Sequence, residues 1–301
     1  MSKQKWTTSN IPDMSGKIVI VTGGNSGLGL ETVRQLAKKG ATVIMAARSE
    51  EKAKTAIAEL NATIPNAQIS LMLLDLASLE SIKKFVETFR AKYKELHLLI
   101  NNAGVMALPT RQKTADGFEM QFGTNHLGHF ALTGQLLDLI ENTDGGRIVN
   151  VSSMAHKFGK VDFNNLNSEK KYAPWEAYGL SKISNLFFTY ELQRKLEEAD
   201  KKTIVVAAHP GYTSTNLQRH SGLFAKLNHI MAQGVEKGTL PQLMAAAETN
   251  LMGGEYFGPR GFNEMQGYPK LVESNKLSHD LGIAARLWEE SEKMTGVKYE
   301  F

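Results

Sequence analysis

The sequence contains no cysteine. Disulfides, thiolate nucleophiles and cysteine-bound zinc or iron–sulfur centres are therefore excluded, although this absence identifies no compartment. Nowhere do about 18 apolar residues run uninterrupted, the length a membrane-crossing helix needs. The opening MSKQKWTTSNIPDMSGK has no apolar stretch to serve as a signal peptide. Charge of neither sign dominates, with 35 Lys and Arg against 31 Asp and Glu, a net +4. The basic residues fall in scattered pairs such as Lys38-Lys39, Lys83-Lys84 and Lys201-Lys202, and no block could track a phosphate backbone. These absences point to a soluble, cytoplasmic protein with no membrane span and no nucleic-acid partner.

What is present is an α/β rhythm in a chain of 301 residues, 42% of them hydrophobic. Short β-branched runs, KIVIVT (17–22), TVIMA (42–46), QISLMLL (68–74), LHLLIN (96–101), GRIVNV (146–151), TIVVAAH (203–209) and the weaker GEYF (254–257), alternate with helical patterns. Several runs are apolar nearly throughout, as strands covered on both faces should be. In SLESIKKFVETFRAKY the apolar Ile82, Phe85, Val86 and Phe89 recur at helical spacing. The alternation predicts a doubly wound parallel sheet, a Rossmann fold of about seven strands with right-handed crossovers. No linker interrupts residues 1–301, so one domain is expected, with residues 1–14 as an extension. Residues 212–250 break the rhythm near the carboxyl ends of the strands, where a substrate lid is expected.

The first strand runs straight into Thr22-Gly-Gly-Asn-Ser-Gly-Leu-Gly29 and a helix. Glycines there permit a tight turn, close approach of backbone to a pyrophosphate, and close packing of helix on strand. Free N–H groups at the helix start would face the anion. Gly23, Asn25, Ser26, Gly27, Leu28 and Gly29 are thus candidate dinucleotide contacts. About 20 residues on, a carboxylate would select NAD through the ribose 2′-OH, whereas an arginine accommodates the 2′-phosphate of NADP. Here the second strand ends in Ala46-Ala47-Arg48-Ser49. Arg48 and Ser49 therefore favour NADP over NAD.

The glycine spacing TGxxxGxG resembles that of the short-chain dehydrogenase/reductase family, and further motifs follow in the family's order. They are Asn101-Asn-Ala-Gly104, Asn125 opening NHLGHF, VNVSS, YGLSK and Pro210-Gly211. The resemblance spans roughly residues 15 to 260. It implies adenine contacts from Asp75 and Leu76, although Asp75 could simply cap the next helix. It implies further cofactor contacts from Asn102, Ala103, Gly104, Pro210 and Gly211, and a grip on the nicotinamide carboxamide by Thr213 and Thr215. Catalysis would fall to Asn125, Ser153, Tyr178 and Lys182, with Ser152 the alternative serine and Tyr178 and Lys182 also touching the cofactor. The insert between Ser153 and Tyr178, with NHLGHF and VSSMAH, is similar to the retinol-dehydrogenase-like branch, although its membrane-bound members carry an apolar anchor ahead of the glycines.

Tyr178 and Lys182, four residues apart, share a helix face. An ammonium and a cationic nicotinamide beside a phenol would lower its pKa from about 10 toward neutrality. Spacing alone proves nothing, since Tyr190 and Arg194 repeat it. Other chemistries fare worse. His126 and His129 lack a carboxylate or third histidine to complete a metal site, and the G-x-S-x-G turn of a hydrolase is missing. The expectation is an NADP-dependent oxidoreductase passing hydride between NADPH and an aldehyde or ketone, or back from an alcohol. The alternative is a non-catalytic NADP-sensing protein on the same fold. Family members often associate through helices near 119–142 and 176–198, so a homo-oligomer is possible.

Overall fold

The computed structural model describes residues 5–213 and 233–301. Its strands are β1 (Ile18–Thr22), β2 (Thr42–Ala47), β3 (Ile69–Leu73), β4 (Leu98–Asn101), β5 (Arg147–Val151), β6 (Ile204–Ala208), β7 (Tyr256–Pro259) and β8 (Pro269–Leu271). They form one sheet in the order β3-β2-β1-β4-β5-β6-β7-β8, parallel except for the β7–β8 pair. Among the described residues there are thus eight strands where about seven were expected. The extra one is a three-residue edge strand beginning with proline. A piece so short, with no apolar run, leaves no mark on the hydrophobic pattern.

Helices α1 (Gly27–Lys38), α2 (Glu50–Thr63), α3 (Leu79–Lys92), α4 (Gly128–Glu141), α5 (Pro174–Glu198), α6 (Val235–Ala247) and α7 (Leu281–Thr295) cover the sheet. Side chains alternate across a strand, and the two core layers follow that rule. Val19, Val21, Val43 and Met45 pack with Leu36 and Leu243 on one side. Ile20, Ile44 and Leu99 pack with Phe85, Phe89 and Phe130 on the other. The stripe read from the sequence of α3, Ile82, Phe85, Val86 and Phe89, is the face it buries.

Part of the 212–250 segment expected as a lid has another job. α6 is the crossover between β6 and β7: Gln242 Nε2 donates to Thr32 Oγ1 of α1 (2.8 Å), and Arg147 donates to the carbonyl of Ala245 (3.0 Å). The rest of the segment, residues 214–232, lies outside the described residues. The surfaces of α4 and α5 expected to meet a second copy are partly covered by this chain. Trp288 of α7 and Tyr299 pack on Phe130 and Phe188, and the Tyr299 hydroxyl donates to the carbonyl of Phe130 (2.7 Å). A Cβ at position 134 would meet the Tyr299 ring at 2.7 Å, which explains the glycine there.

Burial holds three histidines neutral. It lowers the His126 pKa to about 3 and those of His129 and His156 to about 4. In the unfolded chain each titrates near 6.5. Between these values the unfolded chain binds more protons, so stability must fall as pH drops. We expect a loss of about 1.4 kcal/mol per pH unit per histidine from about pH 6.5 down toward 4. Urea unfolding across that range measures it, and a flat profile would show the histidines to be solvated.

Candidate active site

The strand order reverses beside β1 and β4, where β1 has β2 on its other side and β4 has β5. In open α/β sheets such a switch point opens a crevice at the carboxyl ends of the strands. The glycine turn follows β1 and Asn101–Gly104 follows β4, so both line it. Gly27 has φ 53°, a left-handed backbone that glycine adopts without strain. A Cβ on Gly29 would overlap the carbonyl oxygen of Gly23.

α2, α3 and α7 have their first turns capped by the side chains of Ser49, Ser78 and Asp280. The N-cap of α1, Ser26, makes no such bond. The N–H groups of that first turn lack a side-chain acceptor, which fits an anion such as a dinucleotide pyrophosphate.

Thr22 ties the crevice walls together. Its Oγ1 accepts the N–H groups of Asn102 (2.9 Å) and Ala103 (3.0 Å), and Asn102 Nδ2 donates back to the Thr22 carbonyl (2.8 Å). Oγ1 also meets His129 Nε2 (2.9 Å), while His129 Nδ1 donates to the carbonyl of Asn125 (3.0 Å). The proton therefore sits on Nδ1, and Thr22 donates to Nε2. His126 is engaged elsewhere, against Ser291 Oγ (2.9 Å) and the Phe122 ring.

At the outer end of the crevice, Arg48 is exposed at the tip of β2, directly before the Ser49 cap. Asp75 does not cap α3, since Ser78 does. One Asp75 oxygen accepts the Ala77 N–H (3.0 Å), and Leu76 is buried against Gly128.

The chemical end centres on α5. Pro174 fills its first position, where the missing N–H costs nothing. Trp175, Tyr178, Gly179 and Lys182 share one face at i, i+3, i+4 and i+7. Opposite them, β5 leads into Ser152-Ser153 and a 3-10 turn, Met154–Phe158, follows. Ser152 is buried and donates to the Lys182 carbonyl (2.8 Å). Ser153, whose Oγ accepts the Ala155 N–H (3.2 Å), is the serine that favours the Tyr178 anion. The Ser152 hydroxyl, the alternative to Ser153, is thus committed to backbone.

Lys182 Nζ donates to the Val151 carbonyl (3.0 Å) and lies 5.8 Å from the centre of the Tyr178 ring. Asn125, within a π turn (Gly123–Leu127) ahead of α4, has its amide committed to both backbone groups of Val105 (2.8 and 2.9 Å) and to Ser181 Oγ (2.9 Å). A Cβ on Gly104 would lie 3.0 Å from Asn125 Oδ1 and 3.7 Å from Lys182 Nζ, so these groups flank the same backbone. Thr213 is buried, its Oγ1 donating to the Pro210 carbonyl (2.8 Å), and Gly211 abuts Met265. Thr215 lies outside the described residues.

The acidified phenol expected from the sequence is a state with a cationic nicotinamide bound. In the ligand-free chain burial pushes the Tyr178 phenol up to about 12, opposed by Ser153, and pushes Lys182 down to about 8.

The sequence matches the short chain dehydrogenase family over residues 17–224. The chain belongs to that family. This short-chain dehydrogenase is 40% identical to human retinol dehydrogenase 12 over 292 residues, covering 95% of this chain and 89% of the relative. It is 39% identical to a short-chain dehydrogenase/reductase of the fungus Armillaria gallica, covering 95% and 93%. Among solved structures, an uncharacterized protein from Mycobacterium paratuberculosis superposes with TM-score 0.84 at 39% identity, covering 99% of this chain and all of that one. A short-chain dehydrogenase from Escherichia coli CFT073, solved as a complex with NADPH, gives TM-score 0.56 at 25% identity, covering 68% and 81%. The family and the retinol dehydrogenase relatives make this dehydrogenase a nicotinamide-dependent oxidoreductase. No helix among the described residues is long and apolar enough to cross a membrane.

Sequence reasoning missed the polar groups at the far side of the site. Glu264 joins His209 (3.1 Å) and Lys157 (3.3 Å), although it sits in a loop without any motif. Only tertiary structure brings these three together.

The low Lys182 value has a measurable consequence. Between pH 8 and 10 an unfolded lysine keeps a proton that the folded one sheds, so unfolding free energy should rise with pH. The rise should be about 1.4 kcal/mol per pH unit relative to Lys182→Met, measured by denaturant titration of the ligand-free protein. Parallel profiles for the two proteins would place the lysine in water.

Proposed function

We propose that this short-chain dehydrogenase is an NADP-dependent carbonyl reductase, able to run in reverse on the matching alcohols. The observation that carries this reading is buried Tyr178 with Lys182 Nζ 5.8 Å from its ring centre and Ser153 favouring its anion, at the crevice that the uncapped start of α1 enters. NADPH when bound supplies the hydride, and the chain supplies orientation and protons.

Ser153 donates a hydrogen bond to the substrate oxygen as negative charge grows there. Tyr178 gives that oxygen its phenolic proton, and because an alkoxide is a stronger base than a phenolate the transfer runs toward the alcohol even from a weakly acidic phenol. Lys182 stabilises the phenolate left behind and binds ribose hydroxyls. Asn125 holds the Val105 backbone beside Lys182 and so keeps the proton route open.

Preference for NADP rests on Arg48, whose exposed guanidinium stands where a carboxylate would repel a 2′-phosphate. The complete serine, tyrosine and lysine set disfavours a non-catalytic NADP sensor. Phe158 and Trp175, 51% and 43% exposed, flank Tyr178: the Trp175 ring meets it edge-on at 6.1 Å, and the Phe158 ring faces Gly179 one residue away. Large apolar side chains left in water beside a reacting group support apolar substrates, in keeping with relatives named retinol dehydrogenase.

A panel of aldehydes and ketones run with NADPH and NADH tests the reading. Tyr178→Phe should keep NADPH affinity and lose turnover by at least about 100-fold. Near-normal turnover in that variant, or no coenzyme uptake by the native chain, would overturn it. For the substrate edge, Trp175→Ala should raise KM for bulky aromatic carbonyls about tenfold, the worth of roughly one stacked ring. It should leave small aliphatic aldehydes unaffected, and equal KM changes across the panel would remove Trp175 from the substrate path.

A further inference from the structure

Two consecutive residues that are not glycine, Asn263 and Glu264, hold left-handed backbone, with φ 48° and 57°. Such conformations persist only where the surroundings over-determine them. Here the surroundings are specific. The Glu264 carboxylate accepts a hydrogen bond from His209 Nε2 (3.1 Å) and pairs with Lys157 Nζ (3.3 Å). His209 Nδ1 accepts the Gly211 N–H (3.2 Å), so the ring proton must lie on Nε2, aimed at the carboxylate. The imidazole is wholly buried, in a space that exists because residue 258 has no side chain. The same loop is tied by its backbone, the Tyr212 N–H donating to the Met265 carbonyl (2.7 Å).

Lys157 belongs to the 3-10 turn that Ser153 caps, and His209 to the end of β6 that leads into Pro210 and Gly211. One carboxylate thus bridges the two elements that converge on the reacting centre. Loops reach Lys157, His209 and Glu264 from three distant parts of the chain, which sheet pairing alone would not require.

Resting on the reading of Ser153 above, we propose that Glu264 is a positioning residue. Its carboxylate locks the Ser153 turn against the Pro210–Gly211 turn, so that the polarising hydroxyl keeps a fixed spacing from the segment beside the nicotinamide. Glu264 need not touch substrate; it acts through Lys157 and His209. Lys157 is the weaker arm because it is partly exposed, where ion pairs contribute little.

Glu264→Gly removes the carboxylate and relieves the left-handed backbone, so it should fold; Glu264→Gln keeps an acceptor for His209 and loses only the charge. Misplacing a reacting group by a fraction of an ångström slows chemistry more than binding, so Glu264→Gly should lower kcat about tenfold and Glu264→Gln less. KM and NADPH affinity by fluorescence titration should stay near native, while Tm should fall more in Glu264→Gly, which leaves the buried His209 Nε2–H without its acceptor, than in Glu264→Gln. Independently of activity, imidazole 15N spectra of the ligand-free protein should report the Nε2–H tautomer for His209, and Glu264→Gly should shift it. An unchanged kcat in both variants, measured well below their Tm, a kcat that falls in step with NADPH affinity, or a His209 spectrum indifferent to Glu264→Gly would overturn the proposal. Absence of turnover in the native protein would instead remove the Ser153 reading, and this proposal with it.

Discussion

The hydroxyl of Thr22 is where the parts of the site meet. It sits at the end of β1, takes N–H groups from the backbone after β4, and gives its own proton to His129 in α4, which in turn holds the Asn125 carbonyl. Each partner is buried or nearly so, and an unpaired polar group there costs more than a single hydrogen bond returns. The crevice that receives a dinucleotide is therefore braced from below by one side chain. The glycines above it can then be as spare as the turn demands, because they do not have to hold the walls together.

The same burial that braces the crevice sets the state of the reacting groups. Tyr178 and Lys182 are both pushed toward their neutral forms by removal from water. At neutral pH the phenol is therefore un-ionised, while Lys182, with a pKa of about 8, still carries its proton. An added cation beside the phenol would favour its anion.

Much of this was legible in the sequence, for identifiable reasons. Several strands of the parallel sheet are apolar nearly throughout, and the glycine turn, Asn125, the serine pair and AYGLSK each lie within a few residues of a strand end or on one helix face. Local spacing carries such information. Tyr190 and Arg194 mark its limit: they repeat the tyrosine-to-cation spacing, yet Arg194 pairs with Glu191 and Glu198 while Tyr190 meets Ser274. Ser152, which the family resemblance had left as the alternative to Ser153, has its hydroxyl on the Lys182 carbonyl, a contact no local spacing reveals. Lys157, His209 and Glu264 were invisible because their relation is purely tertiary, and β8 because three residues carry no period. The direction of the Tyr178 shift was also out of reach, since it depends on how completely α5 excludes water.

The contact of Tyr299 with Gly134 and the Phe130 carbonyl bears on how the molecule comes into being. Residues 130 and 299 are 169 positions apart, so the aromatic cluster behind α4 stays open for most of synthesis on the ribosome. The helix carrying His129 thus gains its final backing only after the nucleotide-binding half has left the exit tunnel. A chaperone that shields Phe130 and Phe188 during that interval would be guarding hydrophobic surface the protein later covers for itself.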